Sequence, residues 1–294
     1  MAKKTATREE YERRVLRAQE YISSHLDEEI RPQEIAKITG FSVHHFHRIF
    51  RGLTEESVMG FARRLRLERG ARYLRSSKRP VVDIALEAGY GSHEAFTRAF
   101  SERFLLSPMQ FRAEKTAGNA SPAPTPCEPR VSVIVRTEPA LDVLYMQHRG
   151  PYLEVGVVWE RFVTWVLANN LIDGPDAFAQ RNMFGLVPDD PDTTPTELLR
   201  YKACLLHSRQ VALPDGPVAQ SQIPGGRYAV AVHRGSYETL HETYLDLIGR
   251  WFPQSSYVPA HSPVVEHYLN SPQDTAPALL ETEVRVLIAE AGWN

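Results

Sequence analysis

Residues 116–129 read TAGNASPAPTPCEP, with prolines at 122, 124, 126 and 129 and almost no side chain able to pack. Proline supplies no backbone donor and fixes φ, so neither a helix interior nor a central strand can run through this segment. It reads as a semi-extended linker, which at about 3.1 Å per residue could span roughly 40 Å if fully polyproline-like. The 294-residue chain therefore divides into residues 1–115 and 130–294, each long enough to bury its own core.

Charge divides at the same place. Residues 1–115 hold 22 Lys+Arg against 16 Asp+Glu, a balance of +6, and the remainder holds 12 against 20, a balance of −8, which together give the net −2 of the chain. A basic first part is the footprint of a phosphate binder, whereas an acidic second part would be repelled by nucleic acid and calls for a different partner. With 43% apolar and 24% charged residues, no long uncharged apolar run and no hydrophobic region after MAKKTATREE, the expectation is a soluble cytoplasmic protein with no membrane partner. Cys127 and Cys204 are too few for a disulfide framework and lack the paired spacing of a zinc site, so both are expected to be reduced and structural.

The first part is helical by period. Tyr11, Val15, Ala18, Ile22 and Leu26 draw one apolar stripe. Ile35, Ala36 and Ile38 follow in a short helix that Gly40 ends, and Ser42 caps the next. Helix, glycine turn and capped helix make a helix-turn-helix. The pattern returns at Asp83–Leu86, Gly89 and Ser92, and aligning Ser42 with Ser92 superposes Phe46 on Phe96, Arg48 on Arg98 and Phe50 on Phe100. Residues 57–75, with Val58, Phe61, Ala62, Leu65, Ala71 and Leu74 at helical spacing, read as a rigid connecting helix. Two such units at fixed separation can enter successive major-groove faces, about 34 Å apart.

These residues carry a resemblance. DIALEAGYGSHEAFTRAFSERFLLSPMQFR resembles the second helix-turn-helix signature of AraC/XylS transcription regulators and IRPQEIAKITGFSVHHFHRIFRGL resembles the first, over about residues 8–113. Leu105 and Glu55 stand where that family usually has glycine, which puts the geometry of both turns in question.

In SVHHFHRIF, burying Phe46, Ile49 and Phe50 leaves His44, His47 and Arg48 outward, and in SHEAFTRAF burying Ala95, Phe96 and Phe100 leaves His93, Glu94, Thr97 and Arg98 outward. The resemblance implies that these are DNA-contacting positions. Arg48 and Arg98 lead the set, since a guanidinium grips guanine or phosphates bidentately. His44, His45 and His47 do not converge on one helix face, so no metal site is expected there. Arg63, Arg64, Arg66, Arg69 and Arg72 wrap around the connecting helix, so one or two phosphate contacts are expected rather than a ridge.

Beyond the linker the period changes. VSVIVRT and VLYMQHR read as strands, Leu153 to Asn169 as a helix, and MFGLV and YKACLLH as strands again. The order recurs in QIP, YAVAVHR, a helix from Glu238 to Trp251, VVEHYLN and TEVRVLIA. HRGPY at 148–152 and HRGSY at 233–237 are offset by 85 residues, an offset that sets Trp159 on Tyr244; later it becomes 81, setting Pro191 on Pro272. A gapped duplication of a βαββ unit accounts for this. His148 and His233 read as parts of strand-to-helix turns rather than catalytic bases.

This half resembles the GyrI-like effector-binding fold, over about residues 131–290. The resemblance rests on His148, Gly150 and Tyr152, on His233, Gly235 and Tyr237, and on Glu266 with Tyr268; Lys202 departs from it, standing where relatives often carry an acid in the pocket wall. It implies two units about a pseudo-twofold axis enclosing a cleft. Alternation puts Glu266 and Tyr268 on one strand face, and the duplication aligns Glu266 with Gly185. One copy offers a carboxylate and a phenol where the other offers a gap, which suits a single cationic or hydrogen-bonding ligand lined by Tyr152, Tyr237, Trp159 and Tyr244.

The fold class expected is an all-α tandem helix-turn-helix domain followed by an α+β GyrI-like domain. The chain reads as a DNA-binding transcription regulator with the domain order of Rob-like proteins. Its partners would be double-stranded promoter DNA, which it binds as a monomer, a small lipophilic or cationic effector and RNA polymerase. No cofactor and no enzyme activity are expected; the alternative is a GyrI-like hydrolase or drug-sequestering protein tethered to DNA.

Overall fold

The computed structural model describes residues 2–77, 79–117, 130–171, 182–207, 213–260 and 262–289. The chain divides into two compact units, an all-helical one before the proline-rich segment and an α+β one after it. Residues 118–129, most of that segment and with it Cys127, lie outside the described residues. No helix among the described residues is long and apolar enough to cross a membrane.

The helical unit runs α1 (Ala2–Ser24), α2 (Pro32–Thr39), α3 (Val43–Thr54), α4 (Val58–Ser76), α5 (Val81–Glu87), α6 (His93–Phe104) and α7 (Pro108–Ala117). It holds two apolar cores. Val15, Ala18, Ile22 and Leu26 meet Ile35, Phe46, Phe50, Phe61 and Leu65 in the first; Leu67, Ala71 and Leu74 meet Ile84, Phe96, Ala99, Phe100 and Phe111 in the second. α4 passes from one to the other between Leu65 and Leu67. Tyr11, the outermost residue of the expected α1 stripe, is more than a third exposed, its ring edge-on to Phe41.

Both helix-turn-helix turns close in the same way. Gly40 and Gly89 take φ of 68° and 76°, a region open to glycine without a Cβ clash, and the N–H groups of Phe41 and Tyr90 reach back to the carbonyls of Ala36 and Ala85 at 3.1 and 3.0 Å. Ser92 caps α6 by accepting from the Ala95 N–H at 3.1 Å. Glu55 and Leu105 do occupy glycine-like conformations, with φ of 61° and 59°. Before α7, Ser107 and Gln110 cap one another reciprocally, setting Phe111 against Phe100 with ring centroids 5.2 Å apart.

The second unit contains β1 (Val133–Glu138), β2 (Leu141–Arg149), α8 (Val155–Ala168), β3 (Met183–Val187), β4 (Arg200–Leu206), β5 (Val218–Ile223), β6 (Gly226–Arg234), α9 (Leu240–Tyr244), β7 (Val258–Pro259), β8 (Val264–Tyr268) and β9 (Glu281–Ala289). They form an antiparallel sheet ordered β1-β6-β9-β8-β3-β4-β2-β5, with β7 paired to β9. Each half thus has a strand ahead of the expected βαββ run, and that strand pairs with the other half: β1 with β6, β5 with β2. The two connections abut where this exchange occurs. A Cβ on Gly225 would lie 2.6 Å from the Ala140 backbone nitrogen, so only glycine fits.

Alternation sorts the sheet residues. One face carries Leu144, Met146, Tyr201 and Ala203 under α8, and Ala229, Ala231, Val284 and Val286 under α9; the other carries Tyr145, Phe184, Leu186, Cys204 and Tyr228. Cys204 is a buried free thiol. The expected helix to Trp251 is not uniform. After α9 the backbone widens to a π-helix over Leu245–Trp251 before a short turn at Phe252–Gln254. Pro253 has no N–H to give the carbonyl four residues back, and a wider turn there removes the clash a regular helix would impose.

Candidate functional site

The head presents two equivalent helices. Phe46 with Phe50 and Phe96 with Phe100 are fully buried, and they turn Arg48 on α3 and Arg98 on α6 to solvent. His93 and Glu94 are exposed in the first turn of α6; a backbone bond and Ser92 hold the Glu94 carboxyl below its ordinary range. His47 is half-buried, and the side chain of His44 lies outside the described residues.

The expected buried face of α6 needs correction. Ala95 is exposed and Ala99 takes its place in the core, because the inward stripe follows Phe96, Ala99 and Phe100. Thr97 consequently lies half-buried, its hydroxyl enclosed rather than presented. The α4 arginines are held by protein groups. Arg64 spans Glu56 and Glu68, Arg66 donates to the carbonyls of Leu26 and Glu28 at 3.0 and 2.7 Å, Arg69 pairs with Asp27 at 2.7 Å, and exposed Arg63 pairs with Glu102 at 3.0 Å.

In the α+β unit, Gly185 of β3 and Glu266 of β8 are direct cross-strand partners. Glu266 is 6% exposed. Its Oε1 accepts from the Tyr244 hydroxyl and its Oε2 from the Tyr268 hydroxyl, each at 2.7 Å. Tyr268 in turn meets the Tyr201 hydroxyl, and the Trp159 indole N–H donates to Tyr201 at 3.1 Å. Direction follows from chemistry: an indole N–H can only donate, and Tyr268 already directs its O–H to the carboxylate, so Tyr201 must donate to Tyr268. Trp159, Tyr201 and Tyr268 form a one-way relay of donors ending on Glu266, with Tyr244 as a second donor.

Gly185 makes this convergence possible. A Cβ there would stand 2.5 Å from the Tyr201 hydroxyl, 2.8 Å from that of Tyr268 and 2.9 Å from Glu266 Oε2. Trp159 and Tyr237 meet the Tyr268 ring edge-on, with centroids 5.8 and 5.6 Å away, and Tyr237 remains 39% exposed as the open side of the group. Tyr152, the tyrosine of the other HRG segment, instead donates to the Asp189 carbonyl at 2.7 Å, and Asp189 is in turn forked by Arg200.

Burial raises the Glu266 pKa, against the pull of the Tyr268 and Tyr244 hydrogen bonds. Burial and the neighbouring Glu266 charge push the Tyr201, Tyr244 and Tyr268 phenols well up, and Tyr237 to about 12, so the phenols stay protonated donors. Among the described residues no Lys, Arg or His pairs with Glu266. The site is a buried carboxylate satisfied by neutral donors alone.

Tyr201 was absent from the expected set, and Lys202, expected as a departure in the pocket wall, faces away from Glu266. Neighbours on a strand face opposite ways: Tyr201 points at Glu266, whereas the Lys202 ammonium sits 4.3 Å over the Tyr145 ring on the other face. Lys202 is therefore no part of the pocket wall. The two HRG segments are turns. Gly150 and Gly235 take φ of 128° and 137°, their N–H groups bond the carbonyls of Leu199 and Leu280 at 2.9 Å, and the His148 and His233 rings lie 3.1 and 3.0 Å from the carbonyls of Pro151 and Ser236.

A double helix-turn-helix head joined to a unit with one buried, cation-free acid among aromatic rings defines the class: a DNA-binding regulator with a small-molecule domain. The chain belongs to the GyrI-like small molecule binding domain family, whose model matches residues 132–289, and a helix-turn-helix domain of the AraC type matches residues 35–114. It is similar to the probable transcriptional regulator YgiV of Escherichia coli (strain K12), 30% identical over 153 residues, or 51% of this chain and 92% of YgiV. The regulatory protein SoxS of Salmonella typhimurium is 34% identical over 93 residues, or 32% of this chain and 87% of SoxS. The right origin-binding protein of Escherichia coli (strain K12) is 34% identical over 92 residues, or 31% of this chain and 32% of that protein.

Proposed function

We propose that residues 1–115 read a promoter element through α3 and α6, that residues 116–129 tether the head, and that residues 130–294 sense a lipophilic cation at Glu266. The observation that carries the sensing role is the buried Glu266 carboxylate, hydrogen-bonded only by neutral phenols and without a cation among the described residues. A ligand cation would supply the missing charge, and Trp159, Tyr237, Tyr244 and Tyr268 would supply aromatic faces to it. Arg48 and Arg98 act as the leading base or phosphate contacts, with His44, His47, His93 and Glu94 beside them and Thr97 in a supporting position. The strand order supports a duplicated sensor, because exchanging β1 with β5, β2 with β6, β3 with β8 and β4 with β9 reproduces it read from the other end. The regulator acts in the cytoplasm as a monomer on DNA and meets RNA polymerase there; the effector works by binding two states of the chain with different affinity.

Two measurements test this reading. Arg48→Ala and Arg98→Ala should each weaken binding to a selected duplex by about 1–3 kcal/mol at fixed salt. Unchanged affinity in both would remove the DNA-reading role. Calorimetry with tetraphenylphosphonium should show binding that Glu266→Gln abolishes, while neutral triphenylphosphine oxide binds both proteins equally weakly. Equal heats for the cation in both proteins would end the assignment of Glu266.

A further inference from the structure

We infer that a polar waist on α4 fixes the distance and angle between the two recognition helices, so that the head engages a two-part site as one rigid reader. The inference rests on both units reading DNA. It starts from the division of the head into two apolar cores, one ending at Leu65 and the other beginning at Leu67 of the same helix. Apolar packing holds each unit together but is non-directional, so it leaves the angle between the units to whatever lies at their junction.

At that junction the side chains are charged and directional. Arg64 grips both carboxylate oxygens of Glu56, two residues beyond α3, at 2.8 and 2.9 Å, and its third nitrogen reaches Glu68 at 3.1 Å. Glu68 then lies 3.6 Å from Arg103, in the last turn of α6, an ion pair longer than a hydrogen bond that adds charge attraction rather than direction. The run Glu56, Arg64, Glu68, Arg103 thus links the end of one recognition helix to the end of the other, and Arg64 and Glu68 are each only 7% exposed. On the opposite face of α4, Arg66 holds the loop after α1 through the carbonyls of Leu26 and Glu28, while Arg69 pairs with Asp27 and donates to the Glu87 carbonyl at the end of α5. Two clasps on opposite faces resist both bending and twisting at the waist. Buried ion pairs are seldom more stabilising than apolar residues of the same size, whereas bidentate arginine pairs are strict about geometry. Their placement at the one point where the cores part favours a role in alignment.

The test uses the full chain and a duplex selected by it, with each half-site scrambled in turn and with one or two base pairs inserted between the halves. Glu68→Gln removes the central charge, which is too buried to touch DNA; Arg103→Met keeps the side-chain stem and removes the reach to Glu68. A rigid head should lose about tenfold in affinity per inserted pair, because the second contact depends on effective concentration at one geometry. Both variants should bind half-sites within twofold of the wild type, lose about tenfold on the full site, and show a clearly smaller insertion penalty. Wild-type full-site affinity and spacing penalty in both variants would overturn the inference, as would an equal loss on isolated half-sites. If scrambling the second half-site costs the wild type nothing, the two-reader premise itself falls, which separates that failure from failure of the waist.

Discussion

Gly185→Ala is the sharpest perturbation of the Glu266 site, because one methyl group meets three polar atoms at once. The added carbon would lie 2.5 Å from the Tyr201 hydroxyl, 2.8 Å from the Tyr268 hydroxyl and 2.9 Å from Glu266 Oε2, all inside van der Waals contact. These atoms end flexible side chains, but they are buried and bonded to one another, so none moves without breaking the relay. Breaking a bond to a buried carboxylate costs about 1.5–3 kcal/mol, and overpacking costs about 1–3 kcal/mol by itself. The two overlap, since moving Tyr268 relieves the clash by spending the hydrogen bond, so about 3 kcal/mol is expected. For a unit of this size that is a fall in Tm of about 6–12 °C. Differential scanning calorimetry with Trp159 fluorescence would follow it. Gly156→Ala is the control: its added carbon meets nothing within 4 Å on α8, and it should raise stability by about 0.5–1 kcal/mol. A Gly185→Ala protein melting within a degree or two of the wild type would refute the claim that the missing side chain is what lets the carboxylate and phenols converge.

Three further outcomes follow from the geometry. Leu105→Gly should stabilise the head by about 1 kcal/mol in thermal unfolding, since Leu105 holds φ of 59° with its side chain 88% exposed and unable to compensate; an unchanged or lower Tm would count against strain at that turn. Glu266 has a folded pKa above its ordinary 4.5, so its contribution is whole below that value and is lost as pH rises through the folded one. Glu266→Gln should therefore gain on the wild type in urea unfolding as pH increases above 4.5, and a pH-independent difference would contradict the sign. Glu283 has the opposite sign: burial would raise it, but bonds from His267, Arg136 and Arg285 hold it well below the ordinary range, so its contribution is present above 4.5 and lost as pH falls through the folded value. Glu283→Gln should cost about 3 kcal/mol at neutral pH and flatten the acid limb of the stability curve; an unaltered limb would exclude Glu283 as its source.

Much of this was legible in the sequence because repetition gave each position a partner. The alignment of Phe46 with Phe96 and Phe50 with Phe100 returns as four fully buried rings, and that of Arg48 with Arg98 as two exposed guanidinium groups. Leu105 and Glu55 were readable as misfits because only backbone geometry explains a glycine there. The arginines of α4 were not readable in detail, since they are ordered by carbonyls of Leu26, Glu28 and Glu87 that come from distant stretches of chain. The exchange of β1 and β5 between halves was hidden for a related reason. A two-residue connection at Pro139 and Ala140 suggests a hairpin, and the pairing that replaces it depends on the close approach at Gly225. Alternation places Tyr201 on the Glu266 face, but its reach to Tyr268 depends on the cross-strand register of β4, β3 and β8, which no local pattern carries.

The two HRG segments and the pair Gly185 and Glu266 do separate things. The shared segments HRGPY and HRGSY build the same turn twice, with a glycine at positive φ and a histidine ring against a carbonyl, and neither histidine contacts Glu266. Gly185 and Glu266 are cross-strand partners, and the space left by the first holds the carboxylate of the second. A pair of glutamates there would place two buried negative charges in one space, and a pair of glycines would leave two phenols, Tyr244 and Tyr268, without an acceptor. One acid opposite one glycine is the arrangement in which two paired strands close around a single charge, so the pairing of β3 with β8 is what makes the site singular.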